Sequence, residues 1–411
     1  MTDDTPKSPA KPADLRPVLA LVFLCSLGTG AITTGVFFIA RERFEFSATH
    51  NLALALVMSM VYIPAAWWSG PIVRALRARF FKTTQRVLLT MLIGMSALCA
   101  LPPLAPSPLA LWIFALCYMP LTGLFWPVIE SYLSGGRTGQ PLRRAGGLFN
   151  VSWSVAIPIA YWLMSPFMER APLATLVGLA FVHGFCVPVA LRLTHEPARH
   201  LIDTGDDHLT LDERAIYTRL LAGARRLLLA SYVLMSALAP MAPTVLERVG
   251  LEHGEKTAAW SVVHVSRVVT FALLAAFSFW HGKAWPLALG AAAMLFGFVG
   301  TLTAPSVALI VPVLALLGVG LGAAYAASFY YAMEVGGAEV DAGGKHEAII
   351  GMGYAVGPLI ALIAAATPVL AEHASTGVAI LVGCAACVLF ADAVRAARPG
   401  PPAHEKTPDL H

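Results

Sequence analysis

RVLLTMLIGMSALCALPPLAPSPLALWIFALCYMPLTGLFWPVIE, residues 86–130, carries formal charge only at its two ends, Arg86 and Glu130. One helical crossing of a bilayer needs about 20 apolar residues. The stretch is about twice that long. Pro102, Pro103, Pro106 and Pro108 interrupt its middle. Proline lacks an N–H and its ring clashes with the preceding turn, so a helix does not run through such a cluster. The stretch predicts two membrane helices joined by a tight connection.

On either side of it, Arg16 to Arg41, Glu45 to Arg74, Arg144 to Glu169 and Arg170 to Arg192 are charge-free between their ends. Each fits one helix. The first half thus predicts six crossings in the order one, one, two, one, one. The second half repeats that order. Arg226 to Glu247 is one run, and Lys256 to Lys283 is another, interrupted only by Arg267. Lys283 to Glu334 is a double run broken near Pro305; Glu347 to Glu372 and Glu372 to Asp392 complete it. Twelve crossings in two matching sixes imply an internal duplication. The best local correspondence sets Asn150 and Trp153 against Gly351 and Tyr354, near the start of the fifth helix of each half. The runs lack the period-2 alternation of membrane strands.

Composition agrees. Of 411 residues, 57% are apolar and 13% charged, against roughly a quarter charged in soluble domains. Mean hydropathy is +0.71. That excludes a water-soluble enzyme, a disordered chain and a disulfide-rich secreted domain. With both termini inside, 22 of the 28 Lys and Arg fall in cytoplasmic segments and 5 in outer loops, with Arg267 intramembrane. The positive-inside rule then gives N-in, C-in. This bias accounts for the net charge of +4, and no nucleic-acid partner is called for.

The expected organisation is a disordered tail over 1–16, a six-helix bundle over 17–193, a cytoplasmic linker over 194–225, a second bundle over 226–396 and a tail over 397–411. The first run ends Phe38-Ile39-Ala40-Arg41 with no small-residue cleavage site, so it reads as a retained helix. In the linker, Thr210 and Glu213 form a capping-box pattern, from which a short amphipathic helix is expected. All six cysteines fall inside expected helices and read as small apolar fillers. Cys384-x-x-Cys387 is half a metal motif without a second pair, so no metal and no cofactor is expected.

Two six-helix halves, a basic linker and inside termini resemble the major facilitator superfamily over about residues 17–396. In that family the loop after the second helix reads Gly, an Asp four positions later, then basic residues. Here it reads Gly70-Pro71-Ile72-Val73-Arg74-Ala75-Leu76-Arg77-Ala78-Arg79. The glycine and basic cluster match, and Arg74 stands in the aspartate position. The glycine-rich Gly-Pro stretch of the drug antiporters is Ala156-Ile157-Pro158 in helix 5 here. Gly351-x-Gly353-x-x-x-Gly357-Pro358 lies in helix 11 instead. The resemblance implies an all-α multi-pass protein of the plasma membrane, with the bacterial inner membrane the expected case. It implies a monomer that moves a small solute by alternating access, without catalytic residues. The substrate would bind near the midplane, with helices 1, 4, 7 and 10 lining the cavity and 2, 5, 8 and 11 between the halves.

Arg267 is the sharpest site candidate. A bare cation at that depth costs at least ~2.5 kcal/mol. Trp260, His264, Arg267, Phe271 and Leu274 share one helical face. That face would offer an anionic substrate a cation, an imidazole and an aromatic wall. The other reading of Arg267 is an internal tie to helix 5. Further cavity candidates are Thr33 and Thr34, Trp126, Asn150 and Trp153, and Tyr325 and Tyr330. Glu130 and Glu334 end equivalent helices, and with Glu347 they are expected to form gate salt bridges with Arg143, Arg144 or Lys345. Gly318-x-x-x-Gly322 and Gly353-x-x-x-Gly357 are expected to be close-packing sites. The alternatives are a drug or metabolite efflux antiporter, a membrane enzyme, or a scaffold. An intramembrane enzyme would need a nucleophile–base pair or metal cluster, and the helices carry no His-Glu-x-x-His or Gly-x-Ser-x-Gly.

Overall fold

The computed structural model describes residues 11–199, 210–335, 340–367 and 374–397. Among them ten helices are long and apolar enough to cross a membrane, and two further apolar helices, Ala174–Ala190 and Ile350–Ala366, are shorter. In chain order the long elements are α1 (15–44), α2 (Ala48–Trp67), α3 (Thr84–Leu104), α4 (Pro108–Ser134), α5 (Gly139–Met164) and α6 (Ala174–Ala190). The second half has α7 (Leu211–Leu238), α8 (His253–Ala276), α9 (Trp285–Thr303), α10 (Val307–Glu334), α11 (Val340–Ala366) and α12 (Ala374–Ala397).

The two expected breaks are where proline and serine stop the helices. α3 ends at Leu104 just past Pro102 and Pro103, and Ser107 caps α4 by accepting from the Ala110 N–H. α9 and α10 are separated by Ala304, Pro305 and Ser306. The 1–16 segment is shorter as a tail than expected, because Asp14 caps α1 and the helix begins at Leu15. The Thr210–Glu213 capping box is present, and it starts α7 itself. Among the described residues no separate linker helix forms, since nothing between Leu211 and Leu238 breaks the helix. Residues 1–10, 200–209 and 398–411 lie outside the described residues, and so does the side chain of Lys345.

α1 is interrupted by a π-helical stretch, Thr29–Thr34, closed by the Gly35 N–H bonding to the Gly30 carbonyl. Such single-turn widenings recur at functional sites. The family-like loop after α2 forms a short helix, Ser69–Leu76. Arg74 makes no ion pair among the described residues, whereas Arg77 pairs with Glu196 at 3.1 Å beyond α6. Arg137 donates to the Tyr132 and Leu133 carbonyls at the end of α4 and to the Ala13 carbonyl ahead of α1.

In the first half α1 packs on α5 and α6, α2 on α4, and α3 on α4 and α6. In the second, α7 packs on α10, α11 and α12, and α10 on α8 and α9. Contact between the halves runs chiefly through α2 against α11 and α5 against α8, the helices expected there. The glycine stripes let the backbones meet. A Cβ on Gly318 would lie 2.2 Å from the Val263 carbonyl oxygen of α8. One on Gly357 would lie 2.2 Å from the Val233 oxygen of α7.

Candidate functional site

A cavity of about 560 Å³ lies between the halves. Pockets of 300–1,000 Å³ are typical for small-molecule ligands. Its inner part is lined by Thr33 and Thr34 of the π-helical stretch, Ser236 of α7 and His264 of α8. It runs to the end where the basic residues cluster, past Glu130, Ser134, Leu142 and Arg225.

Asn150, one turn from Trp153 on α5, organises the aromatic wall. Its Oδ1 accepts from Trp153 Nε1 at 3.0 Å and from the Tyr325 hydroxyl of α10 at 3.1 Å. Phe271 of α8 packs edge-on to Trp153. Arg267 comes from α8 and sits over the Trp153 ring, 4.7 Å from its centroid. His264, one turn away, stacks on Tyr161 of α5 with ring centroids 5.3 Å apart. The expected α8 face is therefore assembled against α5. Two guanidinium nitrogens of Arg267, Nε and Nη2, are buried with no hydrogen-bond partner among the described residues. Both ring nitrogens of His264 are in the same condition.

Magnitudes weigh the two readings of Arg267. A desolvated cation–π contact is worth about 2 kcal/mol. Intramembrane burial costs ~2.5–3.5 kcal/mol, and each unsatisfied donor adds ~1–3 kcal/mol. The Trp153 contact alone does not offset that cost, and no carboxylate pairs with Arg267 among the described residues.

Thr33, Trp126, Asn150, Trp153 and Tyr325 all line the cavity. Tyr330 does not. It stacks on His281 at 4.0 Å, beside Trp280 and Tyr331, at the α8–α9 connection. Five residues along a helix rotate a side chain by about 140°, so Tyr325 and Tyr330 cannot share a face. Of the gate candidates, Arg143 meets Glu334 at 3.7 Å across the halves. Arg144 is exposed and makes no ion pair among the described residues. Glu130 does not reach either arginine. It faces the cavity together with Glu347, because α4 continues a further turn to Ser134 and leaves Glu130 inside. Glu347 instead accepts a hydrogen bond from Tyr62 of α2.

Sequence reading missed Tyr62, Tyr232 and Tyr354 as cavity residues. The signal was present for Tyr354, since the internal repeat matches it to Trp153. It also missed the ties at the opposite end. There Glu42, near the end of α1, holds Lys256 and, at 2.9 Å, His253, both of α8. Arg41 engages Glu247 through two nitrogens, at 3.1 and 3.2 Å. Ser165 donates to the Gly254 carbonyl at 2.8 Å, and Trp162 Nε1 to the Ser261 hydroxyl at 2.9 Å. None of these residues lines the cavity.

No family model matches the chain, and no curated protein does. Solved structures do. The nucleoside transporter NupG superposes with a TM-score of 0.64 at 14% identity, covering 94% of this chain and 99% of that one. The chain shares the fold of that structure. A bacterial homolog of the human lysosomal transporter Spinster, in an inward-facing conformation, matches at 0.61 and 15% identity, over 94% of this chain and 98% of that one. A structure of proton-dependent oligopeptide transporters matches at 0.67 and 13% identity, over 93% and 97%. This chain thus shares one all-helical fold with these solved structures, and ten of its described helices are long and apolar enough to cross a membrane.

Proposed function

We propose that the protein is a secondary transporter of the major facilitator superfamily that moves a small anionic solute by alternating access. Twelve crossings form two pseudo-symmetric six-helix bundles over 17–193 and 226–396, with both termini in the cytoplasm. The protein works as a monomer in a plasma membrane, the bacterial inner membrane in the simplest case. The shape supports an inward-facing state, since the cavity runs to the basic end and the opposite end is tied shut. The observation that carries the charge preference is Arg267, a residue of the cavity lining with no carboxylate partner and two guanidinium nitrogens unpaired among the described residues. Such a fork binds a carboxylate or phosphate in two parallel hydrogen bonds. Trp153, Phe271 and Tyr325 form the adjoining aromatic wall, which selects for an apolar or planar body on the solute.

The test is uptake into proteoliposomes with a panel of matched solutes, each offered with and without its carboxylate or phosphate. Anionic members should be taken up or compete, and their neutral analogues should do neither. Equal transport of the neutral analogues would overturn the anion assignment.

A further inference from the structure

Away from the cavity, Cys25 of α1 and His183 and Cys186 of α6 meet inside the first half. Each offers one ligand atom, and all three atoms lie within 4.8 Å of one another. All three residues are buried, at 2%, 0% and 0% exposure, and none lines the transport cavity. His183 and Cys186 are three positions apart on α6, which puts both on the face that packs against α1. The two sulfurs are 3.8 Å apart. A tetrahedral zinc with bonds of ~2.3 Å to each sulfur holds them about 3.8 Å apart. The imidazole is already oriented, because its Nε2 shares a 2.8 Å hydrogen bond with the Tyr118 hydroxyl of α4. Its Nδ1 is buried without a partner among the described residues. Metal-bound histidines characteristically engage one nitrogen in such an outer hydrogen bond and leave the other for the ion.

We propose that Cys25, His183 and Cys186 form a binding site for a thiophilic d10 metal ion, zinc(II) in the first instance. Binding displaces the two thiol protons and forms two metal–thiolate bonds and one metal–nitrogen bond, with no change of oxidation state. Two thiolates, a neutral imidazole and zinc(II) sum to zero charge, which a site inside the bilayer favours. Copper(I) would leave one net negative charge there, and a buried bare charge is costly. The ion would fasten α1 to α6 four residues ahead of the π-helical stretch, fixing the support from which Thr33 and Thr34 face the cavity.

The experiment is metal content of the full chain, expressed in zinc-supplemented medium and purified in detergent, read by atomic emission. We expect one zinc per chain in the unaltered protein, and less than a tenth of that in Cys25→Ser and in Cys186→Ser. Cys117→Ser and Cys384→Ser should retain it in full. Size-exclusion profiles and the near-ultraviolet spectrum check that the serine variants are folded. Should both misfold, cobalt(II) added to the unaltered chain should give a thiolate charge-transfer band that Tyr118→Phe weakens. Stoichiometric copper in place of zinc would uphold the site and overturn the zinc assignment. Absence of bound metal, equal metal in the serine variants, or a Cys25–Cys186 disulfide in the purified protein would overturn the site.

Discussion

The two ends of the molecule hold the halves together in different ways. At the end away from the basic clusters, Glu42 and Lys256 are nearly buried, with 9% and 5% of their side chains exposed. Arg41 and Glu247 close the rim, and the Ser165 and Trp162 hydrogen bonds zip α5 to α8 beneath them. At the basic end one ion pair crosses between the halves among the described residues, Arg143 to Glu334 at 3.7 Å, with Arg143 43% exposed. Buried pairs lose several kcal/mol when one member is removed, whereas exposed pairs are worth ~0–1 kcal/mol. The same charges thus do different things at different depths. Below the rim they hold a closed end, and at the basic end they leave the cavity mouth nearly free.

Neutralising the closed end should have the largest effect. Glu42→Gln leaves Lys256 buried without its anion, at a cost of ~3–5 kcal/mol to the closed arrangement. The population should move toward the state open at that end. A cysteine at position 261, in a background freed of other reactive thiols, should then be labelled many times faster from that side. Unchanged labelling would remove Glu42 from the latch. Next comes Gly254→Ala, whose methyl would lie 2.3 Å from the Ser165 carbonyl oxygen. That contact is with backbone, so α5 and α8 must separate, and the same label should report opening. Arg41→Ala breaks a half-exposed pair and should cost about 1 kcal/mol or less. Its effect should shrink as salt rises, because exposed charges are screened. Arg143→Ala should be smallest, within a few tenths of a kcal/mol by the same labelling assay. A large effect there would mean that the basic end is also a latch.

Most of the fold was legible in the sequence because the bilayer writes its own signal. Spans had to be charge-free and breaks had to carry proline or serine, so α3 and α4 fell where Pro102, Pro103 and Ser107 put their ends, and α9 and α10 where Pro305 and Ser306 did. The α8 face was legible for the same reason, since Arg267 is conspicuous in an apolar helix. Depth near helix ends was not. Glu130 and Glu42 both sit within a turn or so of an end, and only tertiary packing sends one into a cavity and the other into a buried pair. Tyr330 was misplaced because a run of aromatic residues on α10 does not say which face is wet. Cys25 and Cys186 were read as filler, since they come from two distant helices whose contact, with His183 beside it, no local pattern announces.

In the proposed mechanism the unpaired guanidinium of Arg267 anchors the solute and is not merely a tie between α8 and α5. It is tested most directly by uptake of an anionic solute into proteoliposomes by Arg267→Lys and Arg267→Ala, each checked by size-exclusion profile. Arg267→Ala should fold, with uptake at background. Arg267→Lys should keep weak residual uptake, since it keeps the charge and loses the two-pronged geometry. Normal uptake by Arg267→Ala would contradict the anchor, and loss of the folded species in both variants would identify the residue as the interhelical tie.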